Sequence, residues 1–197
     1  DNDGDNYVDV LLVIHAGSGA ERTGSLNDIW SHKWGINPRL KDGVYISSYT
    51  TQPEFWSAPG DMTIGVYAHE LGHGFGLPDL YDYDNSSKGV GRWCLMGYGG
   101  WNGTNGSSPA HPCAWSRIYM GFAASTNVNG VLLNQAIPSV EQGGAIYRLW
   151  NSGTIGSEYF LVENGQRTAY DIGLPSSGLL VWHIDDNKLS LTNPNDQ

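Results

Sequence analysis

The stretch HELGHGFGLPD, residues 69–79, constrains this chain more than any other segment. It ends a helical pattern over about residues 62–75, in which apolar side chains recur three or four positions apart. On such a helix His69 and His73 lie on one face, because residues four apart are neighbours there. Two imidazoles on one face can bind a single zinc ion. The segment therefore predicts a metal site on a helix, against the plain alternative of two histidines spaced by chance.

The rest of the stretch suits hydrolysis rather than a purely structural metal. Glu70 follows the first histidine directly, so it projects beside the ion, where a general base must stand to take a proton from metal-bound water. Gly76 permits a sharp turn out of the helix, which would return Asp79 to the ion as a third ligand. Three protein ligands leave a fourth position open for water. Asp82 and Asp84 are alternatives for the third ligand.

Composition excludes several classes of function. The 197 residues include 10 Lys+Arg and 20 Asp+Glu, so the formal net charge of −10 argues against nucleic acid as a partner. Apolar residues make up 40%, with 8 Trp and 11 Tyr, enough for a packed core. No apolar run approaches the roughly 18 residues of a membrane span. We therefore expect a globular protein without a transmembrane segment.

Beyond the helix, short strand patterns alternate with glycine-rich loops, which predicts an α+β fold. The apolar run at residues 8–14 predicts a buried strand, GVYISSY at 43–49 a second, and about 110–121 a short helix. AIYRLW, EYFLVEN and GLLVWHID predict further strands. We expect a catalytic domain over 1–124, with lobes at about 1–76 and 77–124. A β-rich region over 125–197 packs on it, and truncation of this region stays open.

HELGHGFGLPD is similar to the extended zinc motif of the metzincin clan, and CLMGY, residues 94–98, resembles its Met-turn, a tight turn beneath the metal. GLPDLYD narrows the resemblance to the immune inhibitor A family of secreted metalloproteases. The segments DGDNYVDVLLVIHAG, WCLMGYGGW, PAHPCAWSRIYMGF, YFLVENGQR and GLLVWHID also resemble that family. The likeness covers most of the chain and is strongest over residues 62–122.

The resemblance implies a zincin-like (metzincin-like) catalytic domain with an active-site helix, a mixed sheet, a Met-turn and a β-rich C-terminal region. It implies a secreted zinc endopeptidase that hydrolyses peptide bonds in proteins, through a zinc-bound water activated by a glutamate. Such a protein is made with a signal and a pro-segment, which are not present in this chain.

The resemblance also assigns roles to individual residues. The zinc ligands would be His69, His73 and Asp79, the general base Glu70, the Met-turn residue Met96, and a possible transition-state stabiliser Tyr98. Asp79 departs from the commonest clan pattern, which has a third histidine at this position.

Two other functions stay open. One is a calcium-dependent binding module with an inactive zincin fold, although the intact Glu70 argues against it. The other is a zinc exopeptidase or small-amide hydrolase. For an endopeptidase, an extended substrate would pair with the edge of strand 8–14 or strand 43–49.

The opening DNDGDNYVD predicts a structural calcium site. Its alternating carboxylates, Asp1, Asp3, Asp5 and Asp9, resemble the ladder of calcium loops, although Leu12 stands where an EF-hand has glutamate. A solvated acidic turn is the alternative.

The remaining cysteines and histidines carry weaker predictions. Cys94 and Cys113 form either one disulfide or two buried thiols, with nothing in the sequence to decide. The other histidines are His15, His32, His111 and His183, all expected in the core or on the surface, with the first and third nearer the active site. Glu163, His183 and Asp185 weakly suggest a second cation site.

Overall fold

A computed structural model describes residues 1, 3–84 and 86–189 of the chain, without the side chain of Ser152. These residues form an α+β fold of two mixed sheets with few helices. The elements are β1 Leu12–His15, α1 Ala20–Thr23, β2 His32–Lys41, β3 Val44–Pro53, α2 Ile64–Gly74, α3 Ala114–Tyr119, β4 Ser125–Asn127, β5 Ile146–Trp150, β6 Glu158–Gly165 and β7 Gly178–Asp185. None of the helices in this part of the chain is long and apolar enough to cross a membrane.

The first sheet has the strand order β1-β3-β2, with β1 parallel and β2 antiparallel to β3. The prediction of a buried strand over residues 8–14 is wrong in extent and in burial. Regular pairing starts at Leu12, and the side chains of Leu12, Val13 and Ile14 are 41%, 42% and 49% exposed. The physical reason is that neither face of β1 is fully covered by the described residues, so side chains on both faces stay exposed. The predicted strand over 43–49 is confirmed as the central β3.

Helix α2 ends where its sequence predicts. Gly76 adopts a φ of +89°, a left-handed conformation that favours glycine, and the Leu77 N–H donates to the Gly72 carbonyl at 3.0 Å. The start is tied to a neighbouring loop, since the Gly65 N–H donates to the Gly106 carbonyl at 3.0 Å. These bonds fix both ends of the helix and turn the following chain back beneath it.

The second sheet has the strand order β4-β5-β6-β7, with β4 parallel to β5 and the other neighbours antiparallel. The three strands predicted beyond residue 125 are confirmed as β5, β6 and β7. Side chains of β6 alternate between buried and part-buried positions, as expected of a strand with one face on the core. The helix predicted over about 110–121 is present but shorter.

A hydrophobic core joins the segments that follow α2 to the second sheet. It brings Met96 and Trp115, from the segments after α2, together with Ile146, Tyr159 and Leu161 of the second sheet. The core therefore crosses the predicted boundary near residue 124. Cys94 and Cys113 are both free and buried within it, and the Cys113 N–H donates to the Cys94 sulfur at 3.2 Å. Of the two alternatives, the structure has the buried thiols.

Candidate metal centre and cleft

Helix α2 directs His69, Glu70 and His73 into a cleft of about 730 Å³. The other wall comes from the beginning of β2 and the loops that follow α2. Its residues include Trp30, His32, Lys33, Tyr81, Tyr83 and Tyr98. The two histidines lie side by side, with their ring centroids 4.8 Å apart, as the spacing of four on a helix requires.

Both histidines of α2 are oriented by backbone carbonyls. The Nδ1 of His69 is 3.0 Å from the Leu95 carbonyl, and the Nδ1 of His73 is 2.8 Å from the Leu77 carbonyl. A proton on each Nδ1 fixes the tautomer and leaves each Nε2 as a lone-pair donor. This is the usual outer-shell arrangement of histidines that bind a metal.

Asp79 completes a three-residue cluster with these histidines. Its Oδ1 is 3.0 Å from the Nε2 of His69 and 3.2 Å from the Nε2 of His73. Tetrahedral zinc with bonds of about 2.0–2.1 Å holds its ligand atoms roughly 3.3 Å apart, so the spacing fits this ion. Burial would raise the pKa of Asp79, but its contacts with the two histidines hold that pKa well below its ordinary range.

The other two carboxylates considered for the third ligand lie elsewhere. Asp82 is buried in its own loop, where its Oδ2 accepts from the Ser86 hydroxyl at 2.9 Å and from the Ser87 N–H at 2.5 Å. Asp84 accepts from the Ser86 N–H at 2.7 Å. Neither belongs to the cluster formed by the histidines and Asp79.

Glu70 is buried beside the cluster. It is 5% exposed, and its Oε2 is buried without a hydrogen-bond partner among the described residues. Burial raises the pKa of Glu70 above its ordinary value, although His69 and His73 act in the opposite direction. An unpartnered carboxylate oxygen beside the three side chains of the metal-ligand cluster can accept a proton from water.

Met96 and Tyr98 come from the turn that follows Cys94, and their environments differ. Met96 is fully buried, and its sulfur lies so close to Gly72 of α2 that a Cβ there would be 2.5 Å from it. Tyr98 lines the cleft, with its ring 5.8 Å from that of Tyr81. The turn itself is held by the Gly97 N–H, which donates to the Cys94 carbonyl at 3.0 Å.

Sequence reasoning missed Tyr83 and Tyr81. The Tyr83 hydroxyl donates to the Oδ2 of Asp79 at 2.5 Å, and the Tyr81 ring stacks on His69 with centroids 6.3 Å apart. Both follow the helix in an irregular loop, where no periodicity indicates which side chain faces the cleft. The only signal was their proximity to Asp79 in the sequence.

The remaining predicted residues are distributed over the surface and the second sheet. Oxygens of Asp1, Asp3 and Asp5 lie within 4.8 Å of one another, whereas Asp9 pairs with the amino group of Asp1 at 3.0 Å. His32 lines the cleft, while His15 and His111 do not.

Glu163, His183 and Asp185 do not converge on a cation site. His183 pairs with Glu158 at 2.8 Å, Glu163 pairs with Arg117, and the Asp185 carboxylate accepts from the Asn187 N–H. Residues 158–164 and 178–185 lie on paired strands, but their polar side chains have separate partners.

Comparison with known proteins identifies the family of the chain. Residues 1–126 match the family described as "Immune inhibitor A peptidase M6, catalytic domain". The chain is 37% identical over 117 residues to an immune inhibitor A of Bacillus thuringiensis subsp. alesti, covering 52% of this chain and 17% of that protein. It is 31% identical over 135 residues to the pre-pro-metalloprotease PrtV of Vibrio cholerae serotype O1 (strain M66-2), covering 59% of this chain and 14% of that protein. The chain thus spans under a fifth of the length of these relatives.

Proposed function

Because the chain belongs to the immune inhibitor A (M6) peptidase family, we propose that it is a zinc-dependent endopeptidase that cleaves peptide bonds within proteins. The observation that carries this proposal is the convergence of His69, His73 and Asp79, with the unpartnered carboxylate oxygen of Glu70 beside them. Two imidazoles and one carboxylate leave a fourth position of zinc open for water, and the Glu70 carboxylate beside them is placed to act on that water, as a catalytic site requires.

The proposed mechanism divides the work between the metal and Glu70. Zinc, when bound, supplies a water of lowered pKa and polarises the scissile carbonyl. Glu70 accepts a proton from the attacking water and later delivers it to the leaving amine. The buried position of Glu70 favours this exchange, because burial brings the pKa of its carboxyl nearer to neutrality.

The substrate is proposed to lie along β2. The predicted alternative of strand 43–49 is wrong, because β3 is the central strand and both its edges are paired. Strand β2 is an edge strand in the described residues, and His32 and Lys33 at its beginning line the cleft together with Trp30 just before it. A peptide in extended form could add to this edge by main-chain hydrogen bonds.

Met96 and Tyr98 are proposed to have supporting roles. Met96 would serve as the Met-turn residue, since it fills the space beneath α2 against Gly72. Tyr98 would donate to the developing oxyanion of the substrate from the wall of the cleft.

Calcium is proposed as a structural ion at the N-terminal loop. Asp1, Asp3 and Asp5 are exposed, but their oxygens are grouped within 4.8 Å, and Gly4 with a φ of +80° turns the backbone around them. Millimolar calcium added after chelation should raise the melting temperature of the native chain, and Asp3→Asn should abolish the rise. An unchanged melting temperature would contradict a calcium site and favour a solvated acidic turn.

Secretion is proposed with the enzyme activity. It is supported by the name of the Vibrio relative, a pre-pro-metalloprotease, which describes that protein as made with removable segments. Protein or peptide substrates outside the cell follow from the proposed activity.

The decisive experiment measures zinc content and casein cleavage together for the native chain and Glu70→Ala. We expect about one zinc per chain at the α2 site in both, and cleavage only in the native chain. Glu54→Ala, which removes an exposed carboxylate after β3, is the matched control and should retain both properties. Zinc without cleavage in the native chain would favour the binding-module alternative. Trimmed ends without internal fragments would indicate an exopeptidase, and absence of zinc would refute the proposal.

A further inference from the structure

A second group of metal-ligand side chains lies where the segment before α3 meets the turns of the β-rich region. His111 comes from that segment, Glu141 from the 3-10 turn Val140–Gln142, and Asp171 from the 3-10 turn Ala169–Gly173. One donor atom from each lies within 4.8 Å of the other two. Sixty residues of sequence separate the first from the last, so the fold rather than local sequence brings them together.

The donors of this group are buried and largely unused. Asp171 is 2% exposed, and neither carboxylate oxygen of Glu141 is accessible or has a hydrogen-bond partner among the described residues. The Nδ1 of His111 lies 3.1 Å from the Oδ2 of Asp171, so the two Glu141 oxygens are the atoms of the group without any partner. Buried polar atoms without partners are costly, so two on one side chain indicate a missing partner.

The formal charges within the group do not balance. Two carboxylates face one histidine, and Arg117, which also acts on His111, is paired with Glu163 at 2.5 Å. A cavity of about 10 Å³ adjoins His111 and Asp171, which is room for roughly one small ion or one water. A bound divalent cation would supply the partner for all three side chains and balance their charge.

We propose that His111, Glu141 and Asp171 form a second metal site, which binds a divalent transition metal such as zinc in a structural role. An imidazole nitrogen with two carboxylate oxygens is a donor set suited to zinc. The contact of 3.1 Å between nitrogen and oxygen matches the 3.0 and 3.2 Å contacts in the α2 cluster. A protonated His111 held between the two carboxylates without metal is the competing arrangement.

This site would act on the α2 cluster through the backbones of His111 and Leu95. The Asp171 carboxylate accepts from the His111 N–H at 2.9 Å, and the His111 carbonyl accepts from the Leu95 N–H at 3.2 Å. The Leu95 carbonyl in turn contacts the Nδ1 of His69 at 3.0 Å. A metal at the second site would therefore connect the β-rich region to the segment around Leu95, whose carbonyl orients His69.

The test is the zinc stoichiometry of the full chain, stripped with chelator and then equilibrated with zinc in the presence of calcium, which occupies the N-terminal loop. The native chain should bind two zinc ions, and Glu141→Gln and Asp171→Asn one each. Glu158→Gln alters an exposed glutamate that also pairs with a histidine, His183, and should leave two. His73→Ala removes only the α2 site and should retain one zinc.

Stability gives a second readout that does not depend on catalysis. In His73→Ala, added zinc should raise the melting temperature by about 3 °C or more, and adding Glu141→Gln to that variant should remove the rise. Loss of all zinc in His73→Ala would overturn the second site while the proposed function stands. One zinc in His73→Ala and none in Glu141→Gln would instead mean that the α2 cluster binds no zinc, which refutes the proposed function and leaves the second site standing. If Glu141→Gln does not fold, the His73→Ala stoichiometry still decides between the metal and a protonated His111.

Discussion

At the scale of single residues, the hydroxyl of Tyr83 has a defined task at the α2 cluster. It donates to the Asp79 oxygen that does not face the histidines, so it orients the carboxylate. Removing such an outer-shell donor typically weakens metal binding by about 10- to 100-fold. Tyr83→Phe should therefore lower zinc affinity within this range, measured by competition with a chromogenic chelator. Tyr170→Phe, which changes an exposed tyrosine, is the control and should bind zinc as the native chain does.

Packing around Gly65 and helix propensity predict opposite effects of Gly65→Ala on stability. Alanine in a helix interior is favoured over glycine by about 1 kcal/mol, so propensity alone predicts that Gly65→Ala stabilises α2. A Cβ at this position would collide with the Gly100 carbonyl and come within 2.8 Å of the Gly106 Cα, both of them backbone. We expect a net loss of about 1–3 kcal/mol in the free energy of unfolding, measured with urea. Gly35→Ala, where a Cβ meets nothing closer than 3.9 Å, should change stability by less than about 0.5 kcal/mol. A stabilised Gly65→Ala would refute the close packing.

The sequence made the α2 residues predictable because they obey local rules. Helical spacing places His69 and His73 together, and the glycine after the helix explains the return of Asp79. Tyr83 and Asp171 could not be foreseen in the same way. They reach their partners from irregular segments, and Asp171 does so across 60 positions of sequence.

At the scale of elements, the edge of β2 predicts how substrates respond to backbone methylation. Each hydrogen bond between strand and peptide contributes about 0.5–1.5 kcal/mol, and paired groups alternate along a strand. A methyl group on a peptide nitrogen that pairs with β2 should lower kcat/KM by roughly 2- to 10-fold. A methyl group on the next nitrogen along the peptide, which does not pair, should hardly change it. The measurement is a comparison of singly methylated peptides around one cleavage site. Equal effects at all positions would exclude pairing with β2.

The elements differ in how well local pattern foretold them. The strands of the second sheet were predicted because their sequences alternate and are bounded by turns. The prediction of burial for β1 was wrong because a short apolar run is typical of buried strands, whereas burial depends on what covers the strand. In the described residues β1 has β3 on one side only. Order of strands in a sheet is likewise a tertiary property that local pattern does not contain.

At the scale of the whole molecule, the shared core predicts that the family-matched part depends on the sheet that follows it. Leu161 of β6 is fully buried and packs in the same cluster as Met96 and Trp115. Leu161→Ala should cost about 2–5 kcal/mol in the free energy of unfolding, measured with urea. Leu149→Ala, on the adjacent strand but 39% exposed, is the matched control and should cost much less. Equal small costs would mean that the two regions fold independently.

The two buried thiols give this molecule an internal reporter of its own unfolding. Cys94 is 0% and Cys113 3% exposed, so a thiol-specific dye reaches neither sulfur in the native state. The sequence contains 2 cysteines, so the amount of dye that reacts measures how many chains have opened. The colour developed per minute would measure how often the core around Met96 is exposed to solvent, with no label added and no cross-link to reduce beforehand.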